Sequence, residues 1–134
     1  MSFWMNLGQI LETHLGYAAQ AAHSCQRLSL AYDGLLELAL GGTAVGTGIG
    51  RHRDFPVRAL EHLHEKTGVP VRPARNYCEQ LAGREACVFF AGALGSAASA
   101  LHKIANDVRF LGSGPRCGRG ELRLPEVEPA SAIM

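Results

Sequence analysis

The sequence has few features that point to a chemistry on their own. Its four cysteines, Cys25, Cys78, Cys87 and Cys117, form no C-x-x-C pair, which argues against a thiol-redox motif, a zinc knuckle or a disulfide framework. Buried or inert thiols are therefore expected. An excess of one charge is also missing, because thirteen Lys and Arg against twelve Asp and Glu give a formal charge of +1. This balance lacks the basic field of a nucleic-acid-binding domain, so no nucleic-acid partner is expected.

A leader peptide and a long hydrophobic run are missing as well. The start, MSFWMNLGQILETH, has no basic region followed by an apolar core and a cleavage site, so we expect a cytoplasmic protein. The uncharged stretch from Ala86 to Leu101 is rich in Ala, Gly and Ser and is too short to cross a bilayer of about 30 Å. We expect it to be a helix in the centre of a bundle, with no membrane partner.

Proline is absent from residues 3–40, where apolar residues recur at steps of three and four. This is the period of a helix and predicts one long helix over about 3–40. The same period predicts a second long helix over about 77–111. Between them, a short helix over about 54–67 is indicated by cap signals at both of its ends.

Small residues run through the middle of the second long helix, at Gly92, Gly95, Ser96 and Ser99. They would let another helix axis come close. Two very long helices in so short a chain do not close a globule by themselves. The sequence therefore predicts an all-α fold over residues 1–111, a long-helix bundle segment that needs partner helices.

Two further patterns suggest ligands only weakly. Gly46-x-Gly48-x-Gly50 could cradle a phosphate, but the dinucleotide fingerprint needs a strand before it, and here a long helix precedes. His52, His62 and His64 lie near glutamates, but their spacing is not H-E-x-x-H, which disfavours a metal site. A connection between helices and solvated histidines are the plainer interpretations.

Four longer motifs follow one another in an order that resembles class II fumarate hydratases, of the fumarase and aspartase superfamily. They read LALGGTAVGTGI at 38–49, KIANDVR at 103–109, GPRCG at 114–118 and GELRLPE at 120–126. GYAAQ at 16–20 adds weaker support. The resemblance implies a long-helix bundle of the fumarase/aspartase type. It further implies a homotetramer whose active sites each draw on three subunits, and no metal or cofactor.

The resemblance also implies a reaction and a site residue. Ser131 matches, by position, the loop serine that acts in this family as the base for the carbon-bound proton. A hydro-lyase of the tricarboxylic acid cycle is thereby implied, interconverting fumarate and malate, with Ser131 as catalytic residue and a small dicarboxylate as substrate. The implied protein partners are like chains or an intact fumarase-like subunit.

The chain departs from the family's pattern at four positions, namely Gly50, Val127, Ala130 and Ala132, where the family has Asn, Asn, Gly and Ser. The family's Thr-His-x-Gln-Asp-Ala and Pro-Gly-Lys-x-Asn segments do not occur in it. We therefore expect residues 112–134 to be a Gly/Pro-rich segment leading into a truncated catalytic loop, and the chain to be inactive alone. The alternative is a catalytically dead helical remnant or oligomerisation module.

Overall fold

The chain is described from a computed structural model that covers residues 7–114, 116 and 118–125, with side chains from residue 12 onward. The elements, in order, are α1 (Leu7–Leu35), β1 (Glu37–Leu38), α2 (Phe55–Thr67), β2 (Arg72–Pro73), α3 (Tyr77–Ala82) and α4 (Glu85–Leu111). The two strands have two residues each, so the predicted all-α class is confirmed.

The chain divides into two compact units. Residues 22–97 form the first, here called the middle unit, and residues 1–21 with 98–134 form the second, called the terminal unit. The boundaries fall within α1 and within α4. Each unit is therefore built from part of both long helices.

In the middle unit, α1 ends at Leu35 although the apolar pattern continues to Leu40. The chain instead becomes extended, and β1 pairs in parallel with β2, Glu37 facing Arg72 and Leu38 facing Pro73. The amides of Arg72 and Ala74 donate to the carbonyls of Leu36 and Leu38 at 2.8 and 3.0 Å. Pro73 donates nothing in this register, so its missing N–H costs no hydrogen bond.

The Arg72 side chain also contacts the last turn of α1. Its Nη1 and Nη2 donate to the two carboxylate oxygens of Asp33 at 2.8 and 2.7 Å, and its Nε donates to Glu37 at 3.4 Å. A forked pair of this kind fixes orientation as well as distance. The extended segment after α2 is thereby held against the last turn of α1.

The helical pattern over 77–111 is interrupted in the structure at Gly83 and Arg84, which separate α3 from α4. Gly83 has extended backbone angles, and its amide donates to the Glu79 carbonyl at 2.7 Å, which closes α3. The Arg84 guanidinium donates to the Leu81 carbonyl at 3.1 Å. A carbonyl that α3 leaves free at its end is thus satisfied by a side chain.

The most buried side chains are small. They are Ala31, Leu36, Leu60, Ala74, Ala93 and Ala97, with Ser24. Alanine and serine let helices approach closely, but they bury little area each, so this core supplies a modest hydrophobic term.

Large apolar side chains on the long helices lie in solvent. Leu30 is 69% exposed, Val88 70% and Phe89 56% in the middle unit, and Leu15 and Leu101 are also exposed in the terminal unit. By length and composition α4 could cross a membrane, and 11% of its apolar window is buried. A helix that packs against helices outside this chain has the same composition.

The two short helices differ in how their first turns are capped. The Asn76 side chain accepts from the amides of Cys78 and Glu79 at 3.0 and 3.2 Å. Asp54 occupies the same position before α2 but makes no side-chain cap hydrogen bond. Replacing Asn76 would therefore remove two cap hydrogen bonds, whereas replacing Asp54 would remove none.

We predict that Asn76→Ala lowers the free energy of unfolding by about 1 kcal/mol, because two amides lose their acceptor. Asp54→Ala, the matched control, should lower it by no more than a few tenths. Urea denaturation followed by circular dichroism measures both. Equal losses would show that the Asn76 cap contributes nothing of its own.

Candidate functional site

The family resemblance implies catalysis at Ser131, which lies outside the described residues, as do Val127, Ala130 and Ala132. Two of the motifs that the structure describes are the glycine-rich stretch after α1 and the KIANDVR stretch near the end of α4. They belong to different units, and each is built up separately below.

Residues 41–50, here called the glycine loop, fold back on themselves in the middle unit. The Gly48 amide donates to the Gly42 carbonyl at 3.0 Å, and the Arg51 amide donates to the Gly48 carbonyl at 3.4 Å. Gly46 has φ +86°, and a Cβ there would lie 2.5 Å from the Cys78 amide nitrogen. Only glycine fits both the backbone angle and this close approach.

Thr43 is strained within this loop. Its φ of 60° is the only positive value at a residue other than glycine in the described chain. A β-branched residue in this region costs on the order of 1–3 kcal/mol, and such strain is concentrated at functional sites. Its hydroxyl donates to the Gly42 carbonyl at 2.6 Å, so the backbone and side chain are both fixed here.

The start of α3 covers one side of the glycine loop. The Cys78 thiol donates to the Val45 carbonyl at 3.1 Å. The Arg51 guanidinium lies over the Tyr77 ring, 5.8 Å from its centroid. Sequence reasoning did not single out Arg51, since an arginine after a glycine-rich stretch is no signal until its surroundings are known.

The three described cysteines, Cys25, Cys78 and Cys87, are free thiols and are exposed. Of the two expectations for the thiols, buried or inert, burial is therefore wrong for these three.

The histidines considered as metal ligands contact residues that lie close to them in the sequence. His62 Nδ1 lies 3.1 Å from Glu65 Oε2, and His64 Nδ1 lies 2.9 Å from the Val69 carbonyl oxygen. The Asp54 amide donates to His52 Nδ1 at 3.2 Å. Within the described residues, no group of three or more His, Cys, Asp or Glu could hold a metal ion.

In the terminal unit, a three-residue cluster joins α1 to the KIANDVR stretch of α4. The Tyr17 hydroxyl donates to Asp107 Oδ2 at 2.8 Å, and the Lys103 ammonium pairs with the same oxygen. Lys103 Nζ also lies 4.9 Å from the centroid of the Tyr17 ring. Each member contacts the other two, which fixes the register of the two helices within this unit.

The cluster shifts all three pKa values. The hydrogen bonds from Lys103 and then Tyr17 lower the pKa of Asp107. The hydrogen bond to Asp107 raises the pKa of Tyr17, and the bond to Asp107 likewise raises the pKa of Lys103. Asp107 is therefore ionised and Tyr17 neutral across the physiological range, which keeps the cluster intact there.

After α4 the chain turns back on the helix end. The amides of Glu121 and Leu122 both donate to the Leu111 carbonyl, at 2.9 and 3.2 Å. The Arg119 guanidinium lies over the Phe110 ring, 5.5 Å from its centroid. The segment that leads toward Ser131 in the sequence is thus tied to the last turn of α4.

The described residues thus form an all-helical scaffold with a strained glycine loop and a segment tied to the end of a long helix. The matching family model is described as Lyase and covers residues 5–134, so the chain belongs to this lyase family.

Curated relatives narrow the class. The chain is 51% identical to "Fumarate hydratase class II" of Neisseria meningitidis serogroup A and 54% identical to that of Methylorubrum extorquens. Each match covers 89% of this chain, and 26% and 25% of the relative. The recognition of a class II fumarate hydratase resemblance is confirmed. The chain spans about a quarter of their length.

Solved structures agree. A recombinant class II fumarase from Schistosoma mansoni matches with a TM-score of 0.82 and 32% identity, over 96% of this chain and 29% of that one. A fumarate lyase:delta crystallin from Brucella melitensis, solved with cobalt bound, matches with a TM-score of 0.80 and 40% identity, over 96% and 27%. The long-helix bundle type is confirmed.

We predict that Tyr17→Phe lowers the thermal midpoint by a few degrees near neutral pH, because Asp107 loses a donor. The sign follows from the two pKa shifts. The stabilisation from Asp107 is present above its ordinary pKa of 3.8 and is lost as pH falls through its lowered pKa. That from Tyr17 is present below 10.0 and is lost as pH rises through its raised pKa.

Thermal melts of both proteins at neutral, strongly acidic and strongly alkaline pH check this. The difference should be constant between about pH 4 and 10 and shrink on either side. Tyr32→Phe, on an exposed tyrosine of the same helix, is the control and should change little. A Tyr17→Phe difference that does not vary with pH would contradict the role given to the hydrogen bond.

Proposed function

We propose that this chain forms part of a fumarate hydratase of class II type, which adds water reversibly across the double bond of fumarate to give malate. The observation that carries the proposal is the identity of 51–54% to enzymes of that name over 119 residues. The fold class and the tied segment after α4 support it.

Ser131 is the proposed base. In the direction from malate, its ionised hydroxyl takes the proton from the methylene carbon beside the distal carboxylate, and the hydroxyl group then leaves as water after accepting a proton. A serine needs help to ionise near neutral pH, so oriented donors must hold its oxygen and the negative charge that develops on the substrate.

The chain spans about a quarter of the length of its relatives, and we propose that further groups of the site come from outside it. The proposed partners are like chains or an intact fumarase-like subunit, and by analogy with the family the assembly is a tetramer. The exposed apolar side chains support a helical partner. A groove of about 390 Å³ in the middle unit, lined by Leu30, Val88 and Phe89 among others, is one place for it.

The proposal extends to cellular context. The reaction belongs to the tricarboxylic acid cycle, and a cytoplasmic location is proposed together with it. The proposed substrate is a small dicarboxylate, with no cofactor.

A second function is favoured by one set of residues. Gly50, Val127, Ala130 and Ala132 stand where the family has Asn, Asn, Gly and Ser, and a chain under catalytic demand has little reason to lose them. In this alternative the chain is a helical remnant that associates through the apolar faces of α1 and α4 without catalysis.

The first experiment is a fumarate absorbance assay on the purified chain, alone and mixed with a class II fumarase whose own loop serine is replaced by alanine. We expect no activity alone and recovered activity in the mixture, lost on Ser131→Ala and retained on Ser113→Ala, the matched control. A folded mixture without activity would leave the remnant as the better account.

The assembly has its own test. Leu30→Glu with Val88→Glu should convert an oligomeric wild-type chain to smaller species in light scattering, because a buried charge in a helix interface is costly. Val45→Glu is the control, since Val45 is 64% exposed in the glycine loop and off the helices. A wild-type chain that is a stable monomer at all concentrations would contradict the proposed partners.

A further inference from the structure

Arg51 is held in an unusual position for an arginine. Its Nε atom is buried and has no hydrogen-bond partner among the residues that the structure describes. Nη1 donates to the Arg53 carbonyl at 3.3 Å, and the described part of the chain brings no carboxylate within 4.0 Å. A guanidinium offers five N–H donors in a planar fork, and of these the Nε–H of Arg51 is buried without an acceptor among the described residues.

The contrast with Arg72 shows what the position lacks. Arg72 donates to the carboxylates of Asp33 and Glu37, whereas the Arg51 guanidinium lies beside the Tyr77 ring with no carboxylate partner among the described residues. Taking a charged group partly out of water without a counter-ion is unfavourable. Surface arginines avoid this cost by extending into solvent, but Arg51 is packed into the glycine loop.

The glycine loop is shaped around this side chain. A Cβ on Gly48 would lie 2.5 Å from Arg51 Nε and 3.2 Å from Nη2. These two nitrogens form the edge that binds a carboxylate with two parallel hydrogen bonds. Gly48 therefore packs directly against this edge, and any side chain at position 48 would overlap it. Because Nε is covered, the loop around Gly48 must shift slightly to admit an oxygen.

The geometry points to Arg51 as a carboxylate-binding residue, which takes one carboxylate of a small dicarboxylate on its Nε and Nη2 edge once the glycine loop moves aside. That the carboxylate belongs to a substrate rests on the function proposed above. Arg51 acts here as a binding and specificity residue, with no part in proton transfer.

The test uses succinate, an unreactive dicarboxylate, titrated into the ¹⁵N-labelled chain. We expect a saturable shift of the Arg51 Nε–H resonance and of the Gly46 and Gly48 amides. Arg51→Gln should weaken binding at least tenfold, and Arg51→Lys should restore part of it. Arg53→Gln, the control on a neighbouring arginine, should bind like wild type.

A second pair of variants tests the space at Gly48 with Arg51 intact. Gly48→Ala should weaken succinate binding, because its Cβ occupies the edge. Gly50→Ala places the same side chain at a similar φ of +82° with nothing within 4 Å, so it should bind like wild type. Circular dichroism verifies that both variants are folded.

Three results would overturn the inference: no shift at the Arg51 Nε–H, succinate affinity unchanged by Arg51→Gln, or inorganic phosphate that binds as tightly as succinate. The experiment measures succinate binding and not catalysis. A negative result for Arg51 can therefore be distinguished from a failure of the proposed hydration activity. Recovered hydration that survives Arg51→Gln contradicts the role of Arg51 alone. Arg51-dependent binding without hydration contradicts only the proposed reaction.

Discussion

The forked contact between Arg72 and Asp33 is the constraint on which the middle unit depends. It joins the last turn of α1 to the segment that follows α2, and the short parallel pairing of β1 with β2 completes the closure. The chain between Asp33 and Arg72 must therefore form a closed loop whose two ends lie in contact. These contacts fix the two ends of the segment that contains the glycine loop. The strained backbone of Thr43 is maintained by them and by the contacts that Tyr77 and Cys78 make with the loop.

Outside this closed segment, the chain buries few of its many hydrophobic side chains. Nearly half of the residues are hydrophobic, yet the buried set is mostly alanine and the large apolar side chains of α1 and α4 face solvent. The chain spans about a quarter of the length of its curated relatives. The same deficit underlies both proposals for function, since an assembled active site and an inert oligomerisation module each require partner helices.

Much of the fold could be predicted because helices leave local signals. The 3.6-residue period marks α1 and α4, and Asp54 and Gly68 flank α2 in the sequence and in the structure. The end of α1 could not be read, because it depends on Arg72, thirty-nine residues after Asp33. The break at Gly83 was equally hidden, since a glycine within a helix costs only about 1 kcal/mol and is often tolerated.

The candidate site divides in the same way. Motifs such as KIANDVR identify a family through resemblance, but the pairing of Tyr17 with Asp107 spans ninety residues and carries no local pattern. Arg51 became notable only when its Nε was found without a partner beside Gly48. Residue types could be predicted from the sequence, whereas the distances that give them a role could not.

The most direct measurement of the central claim is deuterium incorporation. Fumarate is converted in D₂O by the chain mixed with the serine-deficient class II fumarase, and the malate is examined by NMR. The account predicts one deuterium on the methylene carbon of the malate formed, and none when Ser131 is alanine. Malate formed equally with and without Ser131 would contradict the assignment of this chain as the source of the base.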